Sequence, residues 1–203
     1  MRTAAAADAG GEITRRIMSE FWVFGYGSLM WRPGFEHIER VPARLHGLHR
    51  ALCVYSHVHR GTPDRPGLVL GLDRGGSCRG VCFRVAEDKR TETLAYLRAR
   101  EQVTMVYREI VRPVELGDGT RRIVQALCYV VDRSHPQYAG LLPLERQVEF
   151  VLQGTGQSGP NVEYVLNTLA HIEEIGVVDR RLAVIARALR SARDETLTVR
   201  APG

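Results

Sequence analysis

The chain has 203 residues, 44% of them hydrophobic and 25% charged, and a formal net charge of +5 supplied almost wholly by arginine. That length favours one sizeable core over two, and the composition is that of a globular protein. No apolar stretch approaches the roughly 20 residues a bilayer span requires. The arginines are scattered without a basic run interleaved with aromatics, which favours a solvated surface over a nucleic-acid partner.

Residues 1–20 contain alanines but no compact apolar block ahead of a cleavage site, so they read as a flexible leader rather than a secretion signal. Residues 21–24 form a short aromatic and β-branched strand that stops at the turn cluster Gly25-Tyr26-Gly27-Ser28. Imperfect alternation over 41–56 predicts one bent strand or two short ones. A Gly- and Pro-rich loop follows at 60–67, then strands at 68–72 and 80–85, paired across a Gly75-Gly76 turn. The period changes over 87–101, where Leu94, Leu97 and Glu101 share one helical face. Strands at 107–116 and 123–131 flank the hairpin signal Gly117-Asp118-Gly119. The last third reads as three helices, at 144–152, 162–172 and 179–192. Neighbouring strands joined by short turns argue against a doubly wound parallel sheet. The expectation is an α+β single domain with a curved or barrel-like sheet and helices packed on it.

The four cysteines contain no C-x-x-C pair. Cys53 and Cys128 sit in apolar runs as small core residues, and Cys78 and Cys82 lack a second pair to complete a zinc site. Structural thiols in a reducing, cytoplasmic compartment are the expectation. His57 and His59 alternate on a predicted strand, but no acidic or histidine partner lies near them in sequence, so no metal site is expected.

Three stretches can carry chemistry. Gly25 and Gly27 flank one residue at a strand end, where the backbone can bend around a ligand and present N–H groups to a carboxylate or oxyanion; a tight turn without a ligand fits the same residues. Met30 stands where a third glycine would be, so a dinucleotide fingerprint fails. Glu101 falls on the buried face near a helix C-terminus, and both desolvation and the helix dipole raise a carboxyl pKa toward that of a general base. Arg98 and Arg100 would oppose that shift if turned inward, and an ordinary helix-end glutamate is the alternative. The run Gly154-Thr155-Gly156-Gln157-Ser158-Gly159-Pro160-Asn161 fits neither a nucleophile elbow nor a phosphate loop, and reads as a connection with Asn161 as N-cap.

Together these stretches resemble the ChaC family, the glutathione-specific γ-glutamylcyclotransferases. The resemblance begins at Trp22-Val23-Phe24-Gly25-Tyr26-Gly27-Ser28-Leu29-Met30-Trp31 and continues through His59-Arg60-Gly61-Thr62-Pro63, Pro66-Gly67 and Arg79-Gly80-Val81. Tyr96-Leu97-Arg98-Ala99-Arg100-Glu101 and Gly156-Gln157-Ser158-Gly159-Pro160-Asn161-Val162-Glu163-Tyr164 complete it. Some members carry Gly-Gly-Tyr after the glutamate; this chain has Gln102-Val103-Thr104-Met105-Val106-Tyr107, similar to bacterial members.

The resemblance implies a small mixed barrel with peripheral helices over 21–192, between the leader at 1–20 and a tail at 193–203. It implies Glu101 as catalytic residue, with Val23, Phe24, Gly25, Tyr26, Gly27 and Ser28 lining the substrate pocket and Tyr164 near it. Glutathione is the implied substrate, cyclised to 5-oxoproline with release of Cys-Gly. Neither metal, cofactor, nucleic acid nor membrane is implied. Other γ-glutamyl amino acids or amines, or a non-catalytic γ-glutamyl-binding regulatory module, are the alternatives, with a serine hydrolase at Ser158 a weaker one.

Overall fold

A computed structural model describes residues 20–200, with side chains described as far as residue 193. The elements in chain order are β1 (Phe21–Gly25), β2 (Glu39–Ser56), β3 (Gly67–Val85), α1 (Arg90–Glu101), β4 (Tyr107–Leu116) and β5 (Ile123–Val131). Then come α2 (Leu144–Gln153), the two-residue strands β6 (Thr155–Gly156) and β7 (Gly159–Pro160), α3 (Asn161–Glu174) and α4 (Arg180–Arg200). Single 3-10 turns at Ser28–Met30 and Glu87–Lys89 follow β1 and precede α1.

The long strands form a closed barrel in the order β1-β3-β2-β4-β5. Antiparallel pairing sets Phe21 against Val85 and Gly25 against Val81. A parallel pairing of Trp22 with Ala126 and Val23 with Leu127 closes it. The α+β class and the mixed barrel match the expectation. Along β2, Val41, Ala43 and Leu45 are buried and their neighbours exposed, the period of a strand with one face inward. Gly47, at φ +81°, resets that alternation.

One expectation needs correction. Gly75 and Gly76 do not turn the chain back between two strands. They take φ +99° and +66° inside one continuous β3. Left-handed glycines can kink a strand as well as reverse it.

The described chain resolves into two compact units, residues 20–48 with 75–130, and residues 49–74 with 131–200. In the first, Phe21, Val23, Leu29, Val85, Leu97, Leu127 and Tyr129 form a buried cluster, with Phe35, Leu94, Tyr96 and Tyr107 packed against it. Each large apolar side chain buried there contributes about 1.5–3 kcal/mol. Leu97 belongs to the cluster because α1 turns one face inward, and that face ends at Glu101.

In the second unit α2, α3 and α4 pack on one another. Val162, Val165, Leu169 and Ile172 are buried along α3, as the helical period requires. Asp179 caps α4: its Oδ1 accepts from Leu182 N at 3.0 Å, and its Oδ2 accepts from buried Arg50 at 2.8 Å. The helix continues past residue 192 to Arg200, into the stretch expected as a tail. Apart from Glu20, the expected leader lies outside the described residues.

Asn161 is not an N-cap, a role that Pro160 occupies. Fully buried, it instead treats Leu68 as a neighbouring strand would: its Oδ1 accepts from Leu68 N at 2.6 Å and its Nδ2 donates to Leu68 O at 2.8 Å. Asn161→Ala would leave both backbone groups buried and unsatisfied. A loss of about 2–3 kcal/mol is expected in urea unfolding, and a change within about 0.5 kcal/mol would refute this role.

Candidate active site

The site grows from the end of β1 and the end of α1, both in the first unit. β1 stops at Gly25 because the chain there enters a tight turn. Met30 N donates to Gly27 O at 2.9 Å and Arg32 N to Ser28 O at 2.8 Å. Gly25 and Gly27 do not alternate handedness: neither has positive φ, and Gly27 sits at φ −128°, ψ −133°. The element after β1 is therefore a single 3-10 turn, whose leading amides at Ser28 and Leu29 have no partner inside the turn. Gly27 and Ser28 are partly exposed, while Val23, Phe24, Gly25 and Tyr26 are buried. The Val23 side chain belongs to the core cluster beneath.

Glu101 is the last residue of α1, one turn beyond the fully buried Leu97. Its side chain is 18% exposed. Burial raises its carboxyl above the ordinary glutamate range, and the neighbouring Arg100 guanidinium pulls the other way without cancelling the rise. The position at the negative end of the helix dipole acts in the same direction as burial.

Arg100 joins the two halves. Its Nε lies 3.3 Å from Glu101 Oε1, and its Nη2 donates to Ser28 Oγ at 2.9 Å. Of the two arginines that would oppose the shift if turned inward, Arg100 turns in toward the β1 turn. Arg98 turns out, donating from Nε and Nη2 to Glu109 of β4 at 2.9 and 2.8 Å. Tyr129 of β5 donates to the same carboxylate at 3.3 Å.

The two carboxyls consequently diverge. Arg98 holds Glu109 below the usual carboxylate range, while burial lifts Glu101. Tyr129 is pushed up by burial and by the charges of Glu109 and Glu101, so it stays a hydroxyl donor.

The structure thus brings Glu101 and Ser28 onto one guanidinium, above the core that holds Val23. Tyr164 belongs to the second unit, where its hydroxyl accepts from Leu70 N at 3.2 Å and the Arg60 guanidinium lies 5.3 Å from its ring centroid. His57 and His59 lie in bends beyond β2, not on a strand. His57 stacks on Tyr55. His59 Nδ1 lies 3.1 Å from Ser158 Oγ. That pair is exposed, and the nearby amides of Gln157 and Ser158 already donate to Val58 O and His59 O at 2.9 Å.

Among the described residues no group of three His, Cys, Asp or Glu side chains could hold a metal ion. All four cysteines are buried and none forms a disulfide. Burial pushes the Cys53 and Cys128 thiols up to about 12, which leaves them unreactive.

Sequence reasoning missed Arg100 as a bridge, and the Arg98–Glu109–Tyr129 group. The separation of Arg98 from Glu109, 11 residues across a helix and a strand, follows no local spacing rule. A surplus of arginine around a glutamate at a helix end was the available signal.

The fold is shared with solved γ-glutamyl cyclotransferases. A yeast enzyme described as specific to glutathione superposes with a TM-score of 0.77 at 21% identity, over 85% of this chain and 96% of its own. In sequence, the family described as ChaC-like protein matches residues 21–192, and the chain belongs to that family. The Escherichia coli glutathione-specific γ-glutamylcyclotransferase is 34% identical, covering 78% of this chain and 68% of its own. The human glutathione-specific γ-glutamylcyclotransferase 1 is 33% identical, covering 83% and 78%. An Arabidopsis thaliana relative, γ-glutamylcyclotransferase 2-3, is 30% identical, covering 86% and 91%.

A carboxyl whose folded pKa is raised stabilises the fold only while protonated, and loses that contribution as pH climbs through the folded value. Glu101→Gln, neutral throughout, is expected to gain on the wild type as pH rises from about 4 to about 8. Urea midpoints across that range read the gap; one that narrows with pH would contradict the burial of this carboxyl.

Proposed function

We propose that the chain is a glutathione-degrading γ-glutamylcyclotransferase in which Glu101 carries the proton. The observation that carries this reading is a buried, raised-pKa carboxyl tied through one guanidinium to the turn after β1. The names of its relatives support the substrate. The catalytic unit is residues 21–192, the span of the family match.

In the γ-glutamyl group the α-amine can reach its own side-chain carbonyl and close a lactam. The amine arrives as an ammonium with a pKa near ~8 and must first lose a proton. Glu101 takes that proton, and the nitrogen attacks the carbonyl carbon. The tetrahedral oxyanion meets the amides of Ser28 and Leu29. As it collapses, the bond to the cysteinyl nitrogen breaks and Glu101 returns the proton to that leaving amine. 5-Oxoproline and Cys-Gly depart, and no water is consumed. Because the nucleophile belongs to the substrate, the protein's share is to hold the chain folded for closure and to move one proton.

No described helix is long and apolar enough to cross a membrane. We place the enzyme in the cytoplasm, a placement supported by four cysteines without a disulfide, and assign it no nucleic-acid partner. A broader γ-glutamyl range is a second reading, favoured by the Arabidopsis relative, whose name carries no glutathione qualifier.

Incubation with glutathione and a panel of γ-glutamyl amino acids and amines, scored by product mass, separates the two readings. Wild type is expected to release 5-oxoproline and Cys-Gly in equal amounts. Glu101→Gln, folded, should be slower by roughly 10²–10⁴-fold. Binding of glutathione without turnover by the wild type would establish a binding module instead, and full activity in the variant would remove Glu101 from the mechanism.

A further inference from the structure

We propose that Arg100 is the positioning residue of this site: its guanidinium fork fastens the C-terminal end of α1 to the turn after β1, and so fixes the Glu101 carboxyl against Ser28. The proposal deepens the cyclotransferase reading and rests on it for its kinetic arm.

Arg100 is held by contacts from both ends of the site. Nη1 donates to Arg32 O at 2.7 Å, to Tyr96 Oη at 2.8 Å and to Pro33 O at 3.3 Å. Nη2 donates to Ser28 Oγ at 2.9 Å, and Nε lies 3.3 Å from Glu101 Oε1. These contacts tie Nη1 and Nη2 to the β1 turn, to the carbonyls that follow it and to Tyr96, so Arg100 acts as a clamp within the protein. A planar fork can serve acceptors lying in several directions, which a lysine ammonium on a flexible stem cannot.

The surroundings are shaped to admit it. Gly34 has φ +74°, and a Cβ there would overlap the Tyr96 hydroxyl, so only glycine lets that hydroxyl stand beside the guanidinium. Tyr96 also lies one helical turn before Arg100, on the same side of α1, and packs against the core cluster. The clamp is therefore anchored on packed elements at both ends.

The groups that face Glu101 are few. Arg100 comes from its own helix and Tyr129 from β5; Tyr129 is in turn held by Glu109 of β4, which Arg98 neutralises. Of these, the Arg100 charge is the one that draws the Glu101 carboxyl down against the lift from burial. The residue therefore does two separable things, one by shape and one by charge.

Arg100→Lys keeps the charge and loses the fork, whereas Arg100→Gln loses both. Lysine at this position is expected to lower kcat by roughly 10–100-fold while leaving the acid limb of the kcat/KM profile near its wild-type pH. Glutamine is expected to lower kcat and also to move that limb to higher pH, because the Glu101 carboxyl then faces burial alone. A merely structural role would lower activity and thermal stability in both variants without separating their pH profiles. Wild-type kcat in Arg100→Lys would overturn the positioning role, and an unmoved acid limb in Arg100→Gln would overturn the electrostatic one. Should Arg100→Gln fail to fold, Arg100→Lys still decides the first by kcat, and Tyr96→Phe, which removes one acceptor of the clamp, must show a smaller loss in the same direction. The Glu101 carboxyl titration, followed by 13C NMR on δ-labelled glutamate, needs no turnover. A chain that releases no 5-oxoproline defeats the cyclotransferase reading, while an Arg100→Gln titration that does not rise defeats the placement of Arg100.

Discussion

Burying the Glu101 carboxyl at the C-terminal end of α1 sets the terms for the residues around it. An ionised carboxylate in that position is opposed by desolvation and by the helix dipole, each of which favours the neutral acid. Left without a cation, the carboxyl would face both effects unopposed and its pKa would rise further. A close bidentate ion pair would instead hold it below the ordinary carboxylate range. Arg100, at 3.3 Å and also bonded to Ser28, Tyr96 and the Arg32 carbonyl, pulls against burial without cancelling it. Glu109 shows the other outcome in the same unit. Bidentate pairing with Arg98 depresses its pKa and makes it a fixed charge.

Much of the fold was legible because its signals are local. The apolar stripe of α3, the alternation of β2 and the inward face of α1 follow from side-chain period alone. Glu101 was legible for the same reason, since its place after Leu94 and Leu97 put it on the buried face. The misreadings occurred where one local signal admits two outcomes, or where the partner lies far along the chain. Two adjacent glycines can reverse a strand or kink it, and Gly75 and Gly76 kink β3. Asn161 precedes a helix, as an N-cap would, but its side chain is taken by Leu68, 93 residues away. The contact of Arg100 with Ser28 spans 72 residues and is equally beyond any spacing rule.

The chemistry asks little of the protein's own functional groups, which explains what the sequence lacks. A substrate that carries both nucleophile and electrophile needs folding into a ring-closing conformer, a place for negative charge and one proton carrier. In the proposed mechanism the 3-10 turn after β1 takes the negative charge and Glu101 is the proton carrier. The exposed His59–Ser158 contact, by contrast, has hydrogen-bond distance, but the two amides beside it are already bonded to Val58 O and His59 O.

The central claim is that Glu101 is the titrating group whose ionisation permits ring closure. It is tested most directly by setting the carboxyl titration of wild-type Glu101, followed by 13C NMR on labelled protein, against the acid limb of kcat/KM for glutathione. The account predicts one shared midpoint, above the ordinary glutamate range. A Glu101 that titrates at or below that range, or an acid limb that falls at a different pH, would contradict it.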